Sequence, residues 1–207
     1  MSRSSKRFAH LLTSYESGRT ELNDTTPSDV DAVKCLQRGD EQALKLLYDR
    51  YLDRVFRFAV RLLGRPEEAE EVAGEAFLQA FRYARDYRGE GTFAGWLFRI
   101  ARNLCLDRLR RVGRLQVISL DEFEPKWDQV ADPGAHQHVF RLAVQEALRQ
   151  LPPDYRAVLM MRDVDGMTNT EAAQAMGRSP SAAKSLHFRA RQALRDVLSA
   201  ALDMEAD

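Results

Sequence analysis

The amino-acid sequence predicts an all-α protein of two small helical domains, a four-helix unit and a helix-turn-helix unit, joined by a flexible acidic linker. Three observations carry that expectation. Apolar residues recur at i, i+3 and i+4 through most of the 207 residues, and no stretch alternates with the period of a strand. Most periodic segments begin at a capping residue or proline, and several stop at glycine. The pattern fails between Gln116 and His138, an acidic stretch that holds Pro125 and Pro133.

Residues 1–27 are polar and rich in Ser and Thr, and read as a flexible N-terminal extension. Ser28 is a candidate N-cap for a first helix that stops at Gly39, and Asp40 caps a second. The second helix follows Leu44, Leu47, Tyr51, Val55, Phe58 and Leu62 until Gly64. Pro66 opens a third helix through Ala69, Val72, Ala73, Ala76, Phe77 and Ala80, with acids at its start that suit the positive end of the helix dipole. A Gly-containing loop at 86–91 leads into a fourth helix over 93–111.

The linker at 116–138 spans at most about 75 Å at about 3.3 Å per residue, enough to hold two small domains far apart. A helix from Val139 to Leu151 is broken by Pro152 and Pro153, and another covers 154–164. Thr168 and Glu171 have capping-box spacing, Gly177 ends that short helix, and Ser179 with Pro180 opens the last one. Two helices joined by a tight Gly-containing turn, the second of them basic, form a helix-turn-helix candidate over 139–198, with an acidic tail at 199–207.

The composition excludes several classes. Charged residues are 30% and hydrophobic residues 44%, with 11 Gly and 7 Pro, unlike collagenous or disordered chains. No apolar run reaches the roughly 20 residues of a membrane span, so no membrane insertion is expected, and the N-terminus has no apolar signal core, which points to the cytoplasm. Cys35 and Cys105 lack a redox or metal spacing. His10, His136, His138 and His187 have no glutamate partner of the zinc-hydrolase type, and neither Gly-x-Ser-x-Gly nor a phosphate-cradling glycine loop is present. No catalytic residue, metal or cofactor is expected.

The net charge of zero, 31 basic against 31 acidic residues, is a cancellation of blocks. Glu67, Glu68, Glu70, Glu71 and Glu75 face no base in their segment, whereas the fourth helix and its end are rich in arginine. Phosphate attraction acts over a Debye length of about 8–10 Å, so a neutral protein with local basic helices still binds a polyanion. At 100° per residue, Ala183, Leu186, Ala190, Leu194 and Val197 share a stripe of the last helix, while Lys184, Ser185, Phe188, Arg191 and Arg195 lie opposite with Arg189 at the edge. An aromatic ring among cations suits a DNA groove; the plain alternative is a solvated helix with one exposed Phe. In the fourth helix Phe93, Trp96, Leu97, Ile100 and Leu104 form the buried side, and Arg99, Arg102, Asn103 and Arg110 project away. The loop before it, with Arg85, Tyr87 and Arg88 among glycines, suits capture of an unstacked base.

The motifs KLLYDRY at 45–51, EEAEEVAGEAFLQAF at 67–81, TFAGWLFRIARN at 92–103, DRLRR at 107–111 and LPPDYR at 151–156 occur in that order. The ordered set resembles an extracytoplasmic-function (ECF, group 4) sigma factor of bacterial RNA polymerase, over residues 30–198. The resemblance implies a sigma region 2 at 28–115 for polymerase binding and minus-10 recognition and melting, and a sigma region 4 at 139–198 for the minus-35 element. It implies core RNA polymerase as partner, through the clamp of the largest subunit and the flap of the second, together with promoter DNA and an anti-sigma factor. By position, Glu71, Glu75, Phe77 and Gln79 fall on the clamp. Arg85, Tyr87, Arg88, Arg99, Arg102 and Asn103 fall at the minus-10 strand, and Lys184, Ser185, Phe188 and Arg189 at the minus-35 duplex. Gly74 stands where the family usually has Gln, at a cost of about 1 kcal/mol in helix propensity relative to Ala. Leu186 and His187 replace a more usual Arg-Leu pair.

The competing reading is a helix-turn-helix transcription regulator whose first domain dimerises or senses a ligand. Such a domain has no reason to carry Arg99, Arg102 and Arg110 on one face beside an acidic helix.

Overall fold

Side-chain caps and glycine stops set the observed helices much as the sequence implies. The computed structural model describes residues 27–111 and 135–204. The N-terminal extension as far as Thr26, the linker over 112–134 and the tail at 205–207 lie outside the described residues. Helix α1 (Asp29–Gln37) starts where the Ser28 hydroxyl accepts from Asp31 N at 3.2 Å. Helix α2 (Glu41–Leu63) starts where the Asp40 carboxylate accepts from Gln42 N at 2.8 Å, and stops at Gly64, whose φ of 76° is the left-handed conformation glycine adopts without a Cβ penalty. Helix α3 (Pro66–Tyr83) opens on proline, where the missing N–H costs nothing, and runs into a 3-10 turn, Ala84–Asp86. Helix α4 (Phe93–Arg111) follows the loop.

The second unit comprises α5 (Ala135–Gln150), α6 (Pro153–Leu159), α7 (Asn169–Met176) and α8 (Pro180–Met204). Three boundaries differ from expectation. Helix α5 begins inside the stretch read as linker, and α8 runs through most of the supposed tail to Met204. The single helix expected over 154–164 changes type at Met160: Met160–Val164 is a π-helical turn, closed by Asp165 N donating to Met160 O at 2.9 Å. The Thr168–Glu171 capping box forms reciprocally, and Gly177 closes α7 at φ 63°. Among the described residues there is no strand.

Helices α3 and α4 pack on α2 around Val55, Phe58, Leu62, Val72, Phe77 and Phe98, all 0–1% exposed. Phe58 meets Phe98 edge to face at 5.4 Å, a geometry worth about 0.5–1.5 kcal/mol beyond the area buried. In the second unit α7 and α6 both pack on α8 over Val158, Met161, Met167, Leu186 and Ala190.

The relation of the two units departs most from the sequence expectation. They are packed together: α4 lies against α7, and α2 against α6 and the π turn, so one continuous apolar cluster runs through both. Periodicity reads helices one at a time and carries no information about which finished units dock.

Candidate nucleic-acid interface

The 85–92 loop is held from below and from within. Gln37 of α1 donates through Nε2 to Ala84 O at 3.1 Å and Tyr87 O at 2.8 Å. Tyr87 stacks on Trp96 with centroids 4.8 Å apart, and its hydroxyl donates to Gly91 O at 3.2 Å. Burial first, and then the charge of Asp29, push the Tyr87 phenol up, so it stays a donor at neutral pH. Thr92 caps α4: its hydroxyl accepts from Gly95 N at 3.1 Å and its carbonyl from Trp96 N. Beneath the loop a cavity of about 180 Å³ opens between α1 and the loop, lined by Val30, Lys34, Gln37, Tyr87, Arg88 and Phe93. Arg88 is exposed at its rim, and Arg85 in the loop and Arg99, Asn103 and Arg110 along α4 are exposed as well.

Arg102 differs from the exposed cation expected of it. Its side chain is 12% exposed, and Nη2 donates to Asp154 Oδ1 of the second unit at 2.5 Å. Arg178 donates to the other Asp154 oxygen at 3.1 Å. Burial alone would push the Asp154 carboxyl up, but its bonds to Arg102 and Arg178 outweigh that and hold it below the usual carboxylate range. A second side chain crosses beside it: Gln174 of α7 accepts from Thr92 N at 2.9 Å and donates to Glu90 O at 3.0 Å. Further along, Arg54 donates to Asp165 O at 3.2 Å and Arg156 to Leu62 O at 2.9 Å. Burial pushes the Asp165 carboxyl up, against the pull of Arg54, Arg61 and Arg57 on α2.

On α3 the acidic face is partly neutralised from within. Arg108 of α4 lies 3.3 Å from Glu71 and 3.6 Å from Glu75, and donates to Glu68 O at 2.9 Å. Gln79 donates to Glu75 at 3.2 Å. Glu71 remains 72% exposed on its side chain. Phe77 corrects the sequence reading: it is 1% exposed and meets Tyr48 edge to face at 4.9 Å, so it supports α3 from the core and offers no surface to a partner. The helical period alone had grouped it with its buried stripe.

On α8 the phase argument agrees with the structure. Ala183, Leu186 and Ala190 are buried, Lys184, Ser185 and Arg189 are exposed, and Phe188 is 68% exposed. Arg189 Nε reaches back to Ser185 O at 3.4 Å. His187 turns away toward Asp163 at 2.8 Å, which ties the helix to the π turn. Gln37 and Gln174 are the residues sequence reasoning missed. Each is a half-buried glutamine whose partners are main-chain groups from 47 to 84 residues away, a pairing that no local pattern announces.

A helical unit with an aromatic-braced loop and an arginine-bearing helix, followed by a helix-turn-helix unit, suits a two-part factor that binds nucleic acid. The Sigma-70 region 2 family matches residues 47–115 and the Sigma-70 region 4 family residues 141–194. The chain is 38% identical over 203 residues to the ECF RNA polymerase sigma factor SigE of Mycolicibacterium smegmatis, covering 93% of this chain and 76% of that protein. It is 31% identical over 184 residues to the RNA polymerase sigma-H factor of Pseudomonas aeruginosa, covering 84% and 95%. Two solved folds are similar: CnrH in complex with the cytosolic domain of CnrY (TM-score 0.61, 24% identity, 83% of this chain and 97% of that one) and the Bartonella quintana sigma factor RpoE in complex with the anti-sigma factor NepR (0.60, 21%, 75% and 96%). The chain belongs to the ECF sigma factors, group 4 of the sigma-70 family. It is therefore a non-enzymatic factor that directs RNA polymerase to promoters.

Proposed function

We propose that residues 28–115 bind core RNA polymerase and open the minus-10 element, and that residues 139–198 read the minus-35 element. On this reading Glu71, Glu75 and Gln79 face the clamp of the largest subunit, while the second domain meets the flap of the other large subunit. Arg85, Tyr87 and Arg88 with Arg99, Arg102 and Asn103 hold the melted strand, and Lys184, Ser185, Phe188 and Arg189 enter the major groove. The observation that carries the minus-10 part is the braced loop beside the exposed arginine face: Gln37 and the Tyr87–Trp96 stack fix a main-chain surface where a flipped base is stacked and hydrogen-bonded, while cations take the phosphates. Family membership adds an anti-sigma factor as the expected regulator. Among the described residues no helix is long and apolar enough to cross a membrane, and we place the protein in the cytoplasm with its polymerase.

The test is open-complex formation by reconstituted holoenzyme, read by permanganate footprinting of unpaired thymines. Arg99→Ala with Arg102→Ala should impair opening more than initial duplex binding. A double variant that melts promoters as well as the wild type removes the minus-10 assignment.

A further inference from the structure

We infer that His187 and Asp163 are a positioning pair for minus-35 reading: the imidazole on α8, held by a carboxylate of the π turn, fixes the angle at which that helix presents its base-reading side chains. The inference rests on the minus-35 reading above and names what orients the helix. His187 Nε2 lies 2.8 Å from Asp163 Oδ2. A carboxylate oxygen only accepts, so Nε2 carries the hydrogen and donates. The His187 side chain is 16% exposed, although its neighbour Phe188 stands in solvent. Among the described residues this is the hydrogen bond that joins α8 to another helical element; Ser179 caps the start of the helix, and Arg189 bonds within it.

Apolar packing alone does not set the angle of α8. At 100° per residue Ala183, Leu186 and Ala190 form the buried stripe, Lys184, Ser185, Phe188 and Arg189 form the opposite face, and His187 lies on the flank between the stripe and Lys184. Two of these three buried residues are alanines, whose side chains end at Cβ and give the partner helices little to grip against a roll. Apolar attraction is non-directional, whereas a hydrogen bond weakens steeply as its angle closes. A roll of about 20° on a helix of about 5–6 Å radius moves a side-chain tip by about 2 Å. That exceeds the tolerance of a hydrogen bond to a base edge, but phosphate attraction, acting over about 8–10 Å, survives it. The π turn supplies the other half of the pair. Its i→i+5 bond, Asp165 N to Met160 O, fits one more residue into the turn than an α-helix does, and Asp163 lies within it, facing His187. Arg162 donates to Met167 O and ties the turn to the start of the helix-turn-helix. A change of helix type that the apolar pattern hides and a histidine on the flank of α8 thus form one device.

The experiment uses holoenzyme reconstituted with core polymerase, and promoter duplexes that share a minus-10 element and carry a matched or a scrambled minus-35 element. His187→Leu fills the flank but donates nothing, His187→Gln keeps a donor at its own Nε2, and Asp163→Ala removes the acceptor from a partly exposed position. The readout is the ratio of matched to scrambled affinity, in which the uniform effect of a lost negative charge cancels. His187→Leu should lower that ratio by at least about 5-fold, the low end of one base contact, without changing the salt dependence of binding. Asp163→Ala should reproduce the loss, the two changes together should cost no more than either alone, and His187→Gln should recover the wild-type ratio. A wild-type ratio in His187→Leu, a loss equal on both duplexes that follows a lowered melting temperature, or no recovery in His187→Gln overturns the inference. If His187→Leu does not fold, Asp163→Ala and His187→Gln decide the same question. Failure of the underlying minus-35 reading shows separately, as wild-type holoenzyme that binds the matched and scrambled duplexes alike.

Discussion

Gly95→Ala separates the strength of the interdomain clasp from any role in DNA binding. Gly95 lies in the first turn of α4, buried, without the positive φ that would strain alanine. For the first domain alone the change is favourable, by up to about 1 kcal/mol of helix propensity. In the docked arrangement the new methyl lies 2.3 Å from Gln174 Oε1 and 3.1 Å from Gln174 Cβ. The carboxamide is the far end of a flexible chain and swings aside, but Thr92 N and Glu90 O then lose their partner. Two hydrogen bonds at about 0.5–1.5 kcal/mol each amount to about 1–3 kcal/mol, or about 5- to 150-fold in the ratio of docked to undocked molecules. Distances between spin labels on α2 and α8 measure that ratio directly, with thermal unfolding as the companion assay. The expected signature has opposite signs: more separated domains and a first domain at least as stable. An unchanged distance distribution refutes the reasoning, because the added methyl has then been absorbed without loss of the Gln174 bonds. Gly91→Ala is the poorer probe, since φ of 90° there strains any side chain whether or not the domains dock.

Three further outcomes are expected. Glu71→Lys should weaken core polymerase binding in a titration while changing stability by no more than about 1 kcal/mol, because its pairing with Arg108 is largely exposed; wild-type affinity would count against the clamp assignment. Phe188→Ala should cost on the order of 1–3 kcal/mol on a matched minus-35 duplex without changing the salt dependence of binding, whereas loss of one Lys or Arg phosphate contact lowers the salt slope by about 1. Uniform loss on all sequences together with a lowered melting temperature would instead mean that Phe188 packs inward. Cys105 is buried, and burial pushes its thiol up to about 12, so only Cys35 should react readily with a thiol reagent at pH 8. The unfolded thiol ionises near 9.0, so Cys105 draws stability down as pH rises from there toward its folded value, and a Cys105→Ala chain should lack that part of the alkaline decline.

What was legible in the sequence follows from the range of the forces involved. Caps and stops act within a few residues, so Ser28, Asp40, Gly64, Thr168 and Gly177 stand where the pattern puts them. Helical phase predicted the exposed face of α8 and placed Phe93 and Leu97 on the buried side of α4; Trp96, Ile100 and Leu104 are only half-buried there, and Ala94, Gly95, Phe98 and Cys105 widen that side. The π turn was invisible because Met160 and Met161 satisfy either helix type as apolar residues, and the choice falls to main-chain bonds from Asp165 and Met167. Phe77 was misassigned because a motif position tells which residue is present and not which way it faces. The docking of the domains rests on Arg102, Asp154 and Gln174, polar residues that any surface helix carries, and the sequence contains no mark that distinguishes a cation meant for phosphate from one held by a carboxylate.

The chemistry of the junction argues that it is made to be released. Most of the bonds identified across it are polar, and Arg102 Nε, Arg156 Nε and Asp165 Oδ2 are buried there without a protein partner, each at a cost on the order of 1–3 kcal/mol. The apolar cluster that runs through both units packs beside these groups, and a permanent domain interface would extend it over them. A tethered one needs far less: a chain connection of short or moderate length gives an effective concentration of about 1 mM, so a junction worth only about 4 kcal/mol between free domains is already half closed in the intact chain. Gln174 and Asp154 then shift the balance by amounts that a protein surface can match. On the proposed reading, in which core polymerase meets each domain at its own place, its affinity has only to exceed this small tethered term to separate Arg102 from Asp154.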